Sequence, residues 1–276
     1  MGISGYVPFY NNATTVLAAV DSLRRQQPAL DEIFAVDDGS TDGGADLLEA
    51  AGVRVFRQPS NLGRGAARRL AMQSAKHEFV LCCDATNKLP ADFAAQALHW
   101  FVNSNVAAVV GLITDANPRG VVSRWRARNL FKVGVPRSSS MNAPFVTYGA
   151  MVRSSAIACA GGYDPSLRHT EDAELGSRLA ALNYNVVFDP SLQVYCNKQN
   201  SLAEALERYW RWYAGKDESF GLMLYLKLIK FSAFVMAWQD LRSGDPLASV
   251  ISLLLPHYQL WRFTKARLMH KPSSNP

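Results

Sequence analysis

The residues in this chain best suited to chemistry are carboxylates at the ends of apolar runs. The run 33–36 leads into Asp37-Asp38-Gly39, and the run 79–83 leads into Asp84. Carboxylates on the rim of a sheet can meet a ribose, a base or a metal, although Asp and Gly also make good turns. Glu171-Asp172 opens a helical pattern, where acids cap a helix N-terminus as readily as they catalyse. Gly63-Arg64-Gly65-Ala66-Ala67-Arg68 offers a Gly-opened helix start carrying Arg64 and Arg68, a seat for a phosphate. Arg208 and Arg211 each follow an acid by four residues (Glu204 and Glu207), so anion binding and i,i+4 pairing can coexist.

Other chemistries are excluded by pattern. There is no GxxxxGK[ST] phosphate loop and no Gly-x-Ser-x-Gly nucleophile turn. The five histidines are scattered, and no His/Cys/Asp/Glu cluster has metal-ligand spacing. Cys82, Cys83, Cys159 and Cys196 form no CxxC pair, which points to buried reduced thiols rather than a disulfide framework.

The elements that must position these groups alternate. Runs at 33–36, 53–56, 79–83 and 106–110 read as buried strands, and 1–7 supplies a first strand ended by Pro8. Between them lie helical stretches: Val16, Val20 and Leu23 recur at helical spacing, and 45–51 and 66–75 are rich in helix formers. Such alternation predicts an α/β fold with a parallel sheet, whose ligands bind at the carboxyl ends of the strands. Further on, Leu175, Leu179 and Leu182 mark an apolar helix stripe, and Ser201 with Glu204 forms a capping box. The Ser- and Pro-rich stretch 136–144 reads as a mobile loop.

The chain has 276 residues, 49% of them hydrophobic, with 29 basic against 23 acidic residues and a formal net charge of +6. That balance excludes disorder and suggests an anionic partner. The excess concentrates in two acid-free stretches, one from Ala116 to Tyr163 and one after Asp245. In the first, Arg124, Arg128 and Lys132 would share one helix face, solvated or docking an anionic acceptor. Near the C-terminus the run 220–238 is strongly apolar but holds Lys227 and Lys230, which suits a helix lying at a membrane surface, or one packed on the main domain, better than a spanning one. A second apolar run, 247–255, is expected to break at Pro256. Residues 1–10 lack a basic start followed by an apolar stretch, so a cytoplasmic location, peripheral at the cytoplasmic membrane face, is expected.

Taken in order, Pro8-Phe9-Tyr10-Asn11, Val36-Asp37-Asp38-Gly39-Ser40-Thr41-Asp42-Gly43, Asn61-Leu62-Gly63 with Ala67-Arg68, Glu171-Asp172 and Arg208-Tyr209-Trp210-Arg211-Trp212 resemble the family 2 glycosyltransferases. The resemblance covers residues 7–215, roughly three quarters of the chain. It implies an α/β, GT-A (Rossmann-like) fold: a mixed, mostly parallel sheet flanked by helices over 1–215, with a nucleotide half to about 110 and an acceptor half beyond. A C-terminal amphipathic helical segment, 216–276, would follow. It implies an inverting transfer of a sugar from a nucleotide-sugar, UDP-linked by analogy, to a glycan or lipid-linked acceptor in polysaccharide or glycolipid biosynthesis. Nucleic acid is not an expected partner.

The same resemblance assigns roles. Pro8 and Tyr10 would sit beside the base, Asp38 would bind the base or ribose, and Asn61, Arg68 and Asp84 would line the nucleotide. Asp172 would be the catalytic base, kept ionised by the helix dipole, with Glu171 beside it. Arg208 and Arg211 would face the diphosphate, and Trp212 the acceptor or sugar. The family's Asp-x-Asp, which holds Mn²⁺ or Mg²⁺, reads here Asp84-Ala85-Thr86, and the later His ligand aligns with Cys196. Thr86 is neutral and Cys196 is a soft ligand. Three alternatives stay open: a metal held weakly through Asp84, arginines in place of the metal, or a catalytically impaired subunit that binds nucleotide, glycan or a partner enzyme.

Overall fold

The computed structural model describes residues 2–115, 118–213 and 221–269. Eight strands form one sheet: β1 (Ile3–Phe9), β2 (Glu32–Asp37), β3 (Arg54–Arg57), β4 (Phe79–Cys83), β5 (Asn87–Lys88), β6 (Val106–Thr114), β7 (Gly149–Arg153) and β8 (Asn185–Cys196). The helices are α1 (Val16–Arg24), α2 (Gly44–Ala50), α3 (Arg64–Ser74), α4 (Phe93–Leu98), α5 (Val121–Asn129), α6 (Ser154–Cys159) and α7 (Glu171–Ala181). They continue with α8 (Leu202–Tyr213), α9 (Leu222–Phe231), α10 (Trp238–Arg242) and α11 (Pro246–Met269).

The strand order is β3-β2-β1-β4-β7-β6-β8-β5. β3, β2, β1 and β4 are parallel, as are β6 and β8, whereas β7 and β5 run antiparallel to their neighbours. All five residues of β4 are buried, as a strand covered on both faces requires. Tyr6, Phe34, Val80, Ala108, Val152 and Leu175 lie in one continuous core between sheet and helices. Phe34, Val80, Val152 and Leu175 each contribute about 1.5–3 kcal/mol by leaving water.

The chain divides into two compact units, Met1–Thr114 with Pro136–Lys198, and Asp115–Val135 with Gln199–Pro276. This differs from the expected division near residue 215, because α5 and α8 pack with α11. Trp125 Nε1 donates to Ser252 Oγ at 2.8 Å, and Glu207 accepts from Tyr258 at 2.7 Å. The boundary at residues 214–220 itself lies outside the described residues.

Several local expectations change. β1 runs through Pro8, which pairs with Val36; its pairing with β4 ends at Tyr6, so the missing N–H falls beyond that neighbour. The 136–144 loop is tied to β8: Ser140 N donates to Phe188 O at 3.0 Å and Ala143 N to Val186 O at 2.8 Å. Leu182 follows the end of α7 and is exposed, so the stripe stops at Leu179. Cys82 and Cys83 are buried as expected, but Cys159 is exposed.

In the second unit, α5 ends before Lys132, which takes a left-handed φ of +56° and leaves the proposed basic face. Arg124, whose side chain is 40% exposed, and the more buried Arg128 are taken up by carboxylates of the same unit rather than free for an acceptor. Both bond Asp245, and Arg128 also bonds Asp240. The capping box forms: Ser201 N donates to Glu204 Oε2 at 2.8 Å and Glu204 N to Ser201 Oγ at 3.3 Å. Pro256 does not break its helix; α11 passes through it. A proline frees the carbonyl four residues earlier, here Ser252 O, and the Ser232 hydroxyl donates to that oxygen.

Candidate active site

The first unit gathers its chemistry-bearing groups at the C-terminal ends of β1, β2 and β4, where open α/β sheets bind ligands. The turn after β2 is held from within. Asp37 Oδ1 accepts from Ser40 N at 2.9 Å, which makes Asp37 a turn-forming residue. Gly39 has φ +74°, and a Cβ there would lie 2.4 Å from the Ser60 carbonyl carbon, so only glycine fits. Ser40 Oγ and Asp42 accept from Asn11 and Ala13 N–H at 2.9 and 2.7 Å, joining this turn to the segment after β1. Tyr10 lies on that segment, 45% exposed, with its ring open to solvent.

Asp38 is buried, and its carboxylate accepts from Leu62 N at 2.8 Å and from Gly63 N at 2.9 and 3.2 Å. Burial raises its pKa against the pull of those two N–H groups. In this geometry Asp38 anchors the loop that carries Asn61. Asn61 in turn is held by Arg168: Nη1 donates to its carbonyl at 3.0 Å and Nη2 to its side-chain oxygen.

The expected phosphate seat at the start of α3 is occupied by protein. Gly65 N donates to Leu167 O at 2.9 Å, and a Cβ on Gly65 would meet the Asp164 carbonyl oxygen at 2.0 Å. The helix start is therefore packed against the 164–168 segment, while Arg64 remains exposed. Arg68, one turn later, is only 3% exposed. Its Nε donates to Glu171 Oε1 at 3.0 Å, its Nη2 to Asp84 Oδ1 at 2.9 Å and its Nη1 to Cys82 Sγ at 3.1 Å. One guanidinium thus clamps α3, the end of β4 and the start of α7 together. Burial pushes the Tyr6 and Tyr163 phenols well above the usual tyrosine range and the Cys82 thiol up to about 11, so all three stay neutral around it.

Glu171 is buried, and its Oε2 has no hydrogen-bond partner among the described residues. Thr170 before it takes φ +65°, a left-handed conformation costly for a β-branched residue. Asp172 is half-buried; Oδ1 accepts from Ala173 N at 2.8 Å. Its pKa is raised by burial first and by the Glu171 charge second, with Arg68 and Arg64 pulling the other way. The expected lowering by the helix dipole is outweighed.

Asp84, Thr86 and Cys196 do come together. Asn87 pairs with Cys196 across β5 and β8, and Asn197 N donates to Thr86 O at 2.7 Å. Arg208, Arg211 and Trp212 lie on α8 in the second unit, with Trp212 partly exposed and its ring 6.0 Å from that of Phe131. Glu207 pairs there with Arg262 at 2.8 Å rather than only along its own helix. Sequence reasoning missed Arg168, Tyr6, Tyr163 and Cys82. Arg168, three residues before Glu171, carried a signal in its nearness to that pair; the other three read as ordinary core.

Comparison with known proteins bears on this arrangement. Residues 4–159 match the model of glycosyl transferase family 2. The chain belongs to glycosyl transferase family 2. Among curated relatives of this family 2 chain, the pre-mycofactocin glycosyltransferase of Mycobacterium tuberculosis is 26% identical over 90% of the chain and 54% of its own length. The succinoglycan biosynthesis protein ExoA of Rhizobium meliloti is 26% identical over 75% and 66%. The chain thus spans about half to two thirds of these relatives. Residues 1–349 of S. aureus TarS in complex with UDP superpose with TM-score 0.58 at 17% identity, covering 98% of this chain and 92% of that one. The mannosyltransferase PcManGT from Pyrobaculum calidifontis, in complex with GDP-Man and Mn²⁺, gives 0.57 at 18%, covering 98% and 81%. These likenesses establish the GT-A fold.

A divalent cation, implied by the fold, finds a poor donor set in this family 2 chain. Among the described residues no three His, Cys, Asp or Glu side chains converge on a metal position. Asp84 spends one oxygen on Arg68, Thr86 is neutral and Cys196 is soft, whereas Mg²⁺ and Mn²⁺ favour hard oxygen ligands. The residues present do not fit a metal ion held by the protein.

Proposed function

We propose that this chain transfers a sugar from a nucleotide-sugar, UDP-linked, to a hydroxyl of a glycan or lipid-linked acceptor with inversion at the anomeric carbon. The observation that carries this reading is Asp172: a half-buried carboxylate of raised pKa beside a buried Arg68–Glu171–Asp84 bridge, at the ligand-binding rim of the sheet. In a single displacement the acceptor oxygen forms a bond to the anomeric carbon as the bond from that carbon to the diphosphate oxygen breaks. The electron pair leaves with the nucleoside diphosphate, and the acceptor proton passes to Asp172. A raised pKa makes Asp172 a stronger base for that proton.

Glu171 acts as a positioning residue through Arg68, and Asp84 orients the same guanidinium. Tyr10, just past Pro8 and the end of β1, offers an exposed ring to the base. Asp38 and Asn61 shape the nucleotide loop through Leu62, Gly63 and Arg168. Arg208, Arg211 and Trp212 are proposed for the diphosphate and acceptor on the strength of the family pattern. The donor reading is supported by the UDP bound in the TarS structure.

Incubation with a panel of nucleotide-sugars should release nucleoside diphosphate, and Asp172→Asn should abolish that release while leaving nucleotide binding intact. Unchanged turnover in Asp172→Asn would overturn the base assignment. Nucleotide binding without any turnover would instead favour a binding subunit, a reading that Thr86 and Cys196 motivate.

A further inference from the structure

The α9–α11 segment of the second unit buries several polar groups while exposing most of its large apolar ones. Between α9 and α10 lies one π-helical turn, Ser232–Ala237, and the row facing inward carries Ser232, Met236 and Asp240, all buried. The outward row carries Met223, Leu226, Lys230, Phe234, Trp238 and Leu241 at three- and four-residue spacing, with Phe234 73% exposed. Helix α11 likewise buries Ser249, Ser252 and Gln259, here among Ala248, Ile251 and Leu255, while Leu247, Val250, Leu254 and Trp261 are exposed. Among the described residues, more than half of the exposed large apolar side chains lie between residues 222 and 261. Polar groups inside and aromatic groups outside is the pattern expected when the outer solvent is not water.

The charges sort in the same sense. Both acids of residues 221–265, Asp240 and Asp245, are buried and paired with Arg124 and Arg128. Lys227 and Lys230 lie exposed on the outward row and form no ion pair among the described residues. Arg242 sits over the Trp238 ring at 5.2 Å and Lys265 over the Trp261 ring at 5.1 Å. Tryptophan flanked by a cation is the side-chain pairing suited to a lipid headgroup layer.

The 21 residues Leu222–Arg242 are long and apolar enough to cross a bilayer, but packing opposes a crossing. Helix α11 is flanked along its length by charged elements: Asp245 bonds Arg124, Trp125 bonds Ser252, and Glu207 bonds Tyr258 and Arg262. A spanning hairpin would draw α5 and α8, with their arginines and glutamates, into hydrocarbon, at about 2.5–3.5 kcal/mol for each charge on insertion scales. We propose that helices α9–α11 form an in-plane docking face for an anionic lipid surface, with the aromatic row at the acyl boundary and Lys227, Lys230, Arg242 and Lys265 among the headgroups.

The test is flotation of the full chain, synthesised in the presence of vesicles of phosphatidylcholine alone or of phosphatidylcholine with phosphatidylglycerol at 3:1. The chain should float with the anionic vesicles, weaken in high salt, and be released by alkaline carbonate. Lys227→Gln and Lys230→Gln should each lower affinity by about fivefold. Phe234→Glu with Trp238→Glu should abolish flotation while the far-ultraviolet circular dichroism spectrum and Tm stay as in the parent. Three results would overturn the proposal. One is failure to float with anionic vesicles. Another is retention through carbonate, which would mean a spanning helix. The third is a lipid-free dimer, seen by sedimentation and dissolved by the same double variant, without vesicle binding.

Discussion

Two partly buried charge clusters, one in each unit, pair carboxylates and arginines in opposite proportions. In the first unit one guanidinium, Arg68, is held between two carboxylates, Asp84 and Glu171, with a third, Asp172, beside them. In the second, Asp245 is held between Arg124 and Arg128, and Asp240 takes Arg128, Asn129 and Ser252. The second cluster balances two acids against two arginines. The first sets three acids against one buried arginine. A balanced buried cluster fixes packing and does little else, whereas an unbalanced one leaves a carboxylate with a raised pKa, which is what proton transfer at neutral pH needs.

That contrast can be broken by substitution. The largest effect is expected for Asp172→Asn, which should lower turnover by ~10²–10⁴-fold, measured as nucleoside diphosphate release, with Tm unchanged. Arg68→Met strands Glu171 and Asp84 without their partner and should cost about 3–5 kcal/mol in urea unfolding along with activity. Asp240→Asn in the second unit should destabilise by a similar amount on the same principle, yet leave nucleotide affinity in place. If Asp240→Asn abolished nucleotide binding and Arg68→Met did not, the division of labour drawn here would be reversed.

The pH responses should diverge as well. Asp172 has its pKa raised, so the acid limb of the turnover profile should lie above the ordinary aspartate value of about 3.9, where the base becomes protonated. Glu171→Gln should move that limb down, since it removes a charge that raises the Asp172 pKa. Asp245 has its folded pKa well below the ordinary range, held there first by the Arg124 hydrogen bond. Its stabilising contribution is therefore present above about pH 4 and lost as pH falls towards the folded value, to be read from acid unfolding of the second unit. The smallest change is expected from chelation. Because Asp84, Thr86 and Cys196 make a poor donor set for a hard divalent cation, removing divalent metal should weaken nucleotide binding by less than about tenfold, measured by titration calorimetry.

Much of the fold was legible because it rests on local periodicity. The alternating runs located β2 and β4 and the helices between them, and the acids at the ends of those strands are where the sheet presents them. The same acids did not reveal their partners. Nothing at spacing in the sequence joins Arg68 to Glu171, which lies 103 residues away, or Arg124 to Asp245, 121 residues away. For that reason the basic face of Arg124, Arg128 and Lys132 read as solvated or docking an acceptor, and the Gly63–Arg68 helix start as a seat for a phosphate.

The sequence by itself determined the family, the sheet and the carboxylates available for chemistry, because strand alternation, turn residues and ordered motifs are short-range properties of a chain. Which carboxylates stay open was decided only by tertiary structure. Whether Asp38, Asp84, Asp172, Asp240 or Asp245 meets an arginine, a backbone N–H or solvent depends on burial and on contacts between distant segments. In a low-dielectric interior those contacts, more than residue type, set where charge can remain unpaired.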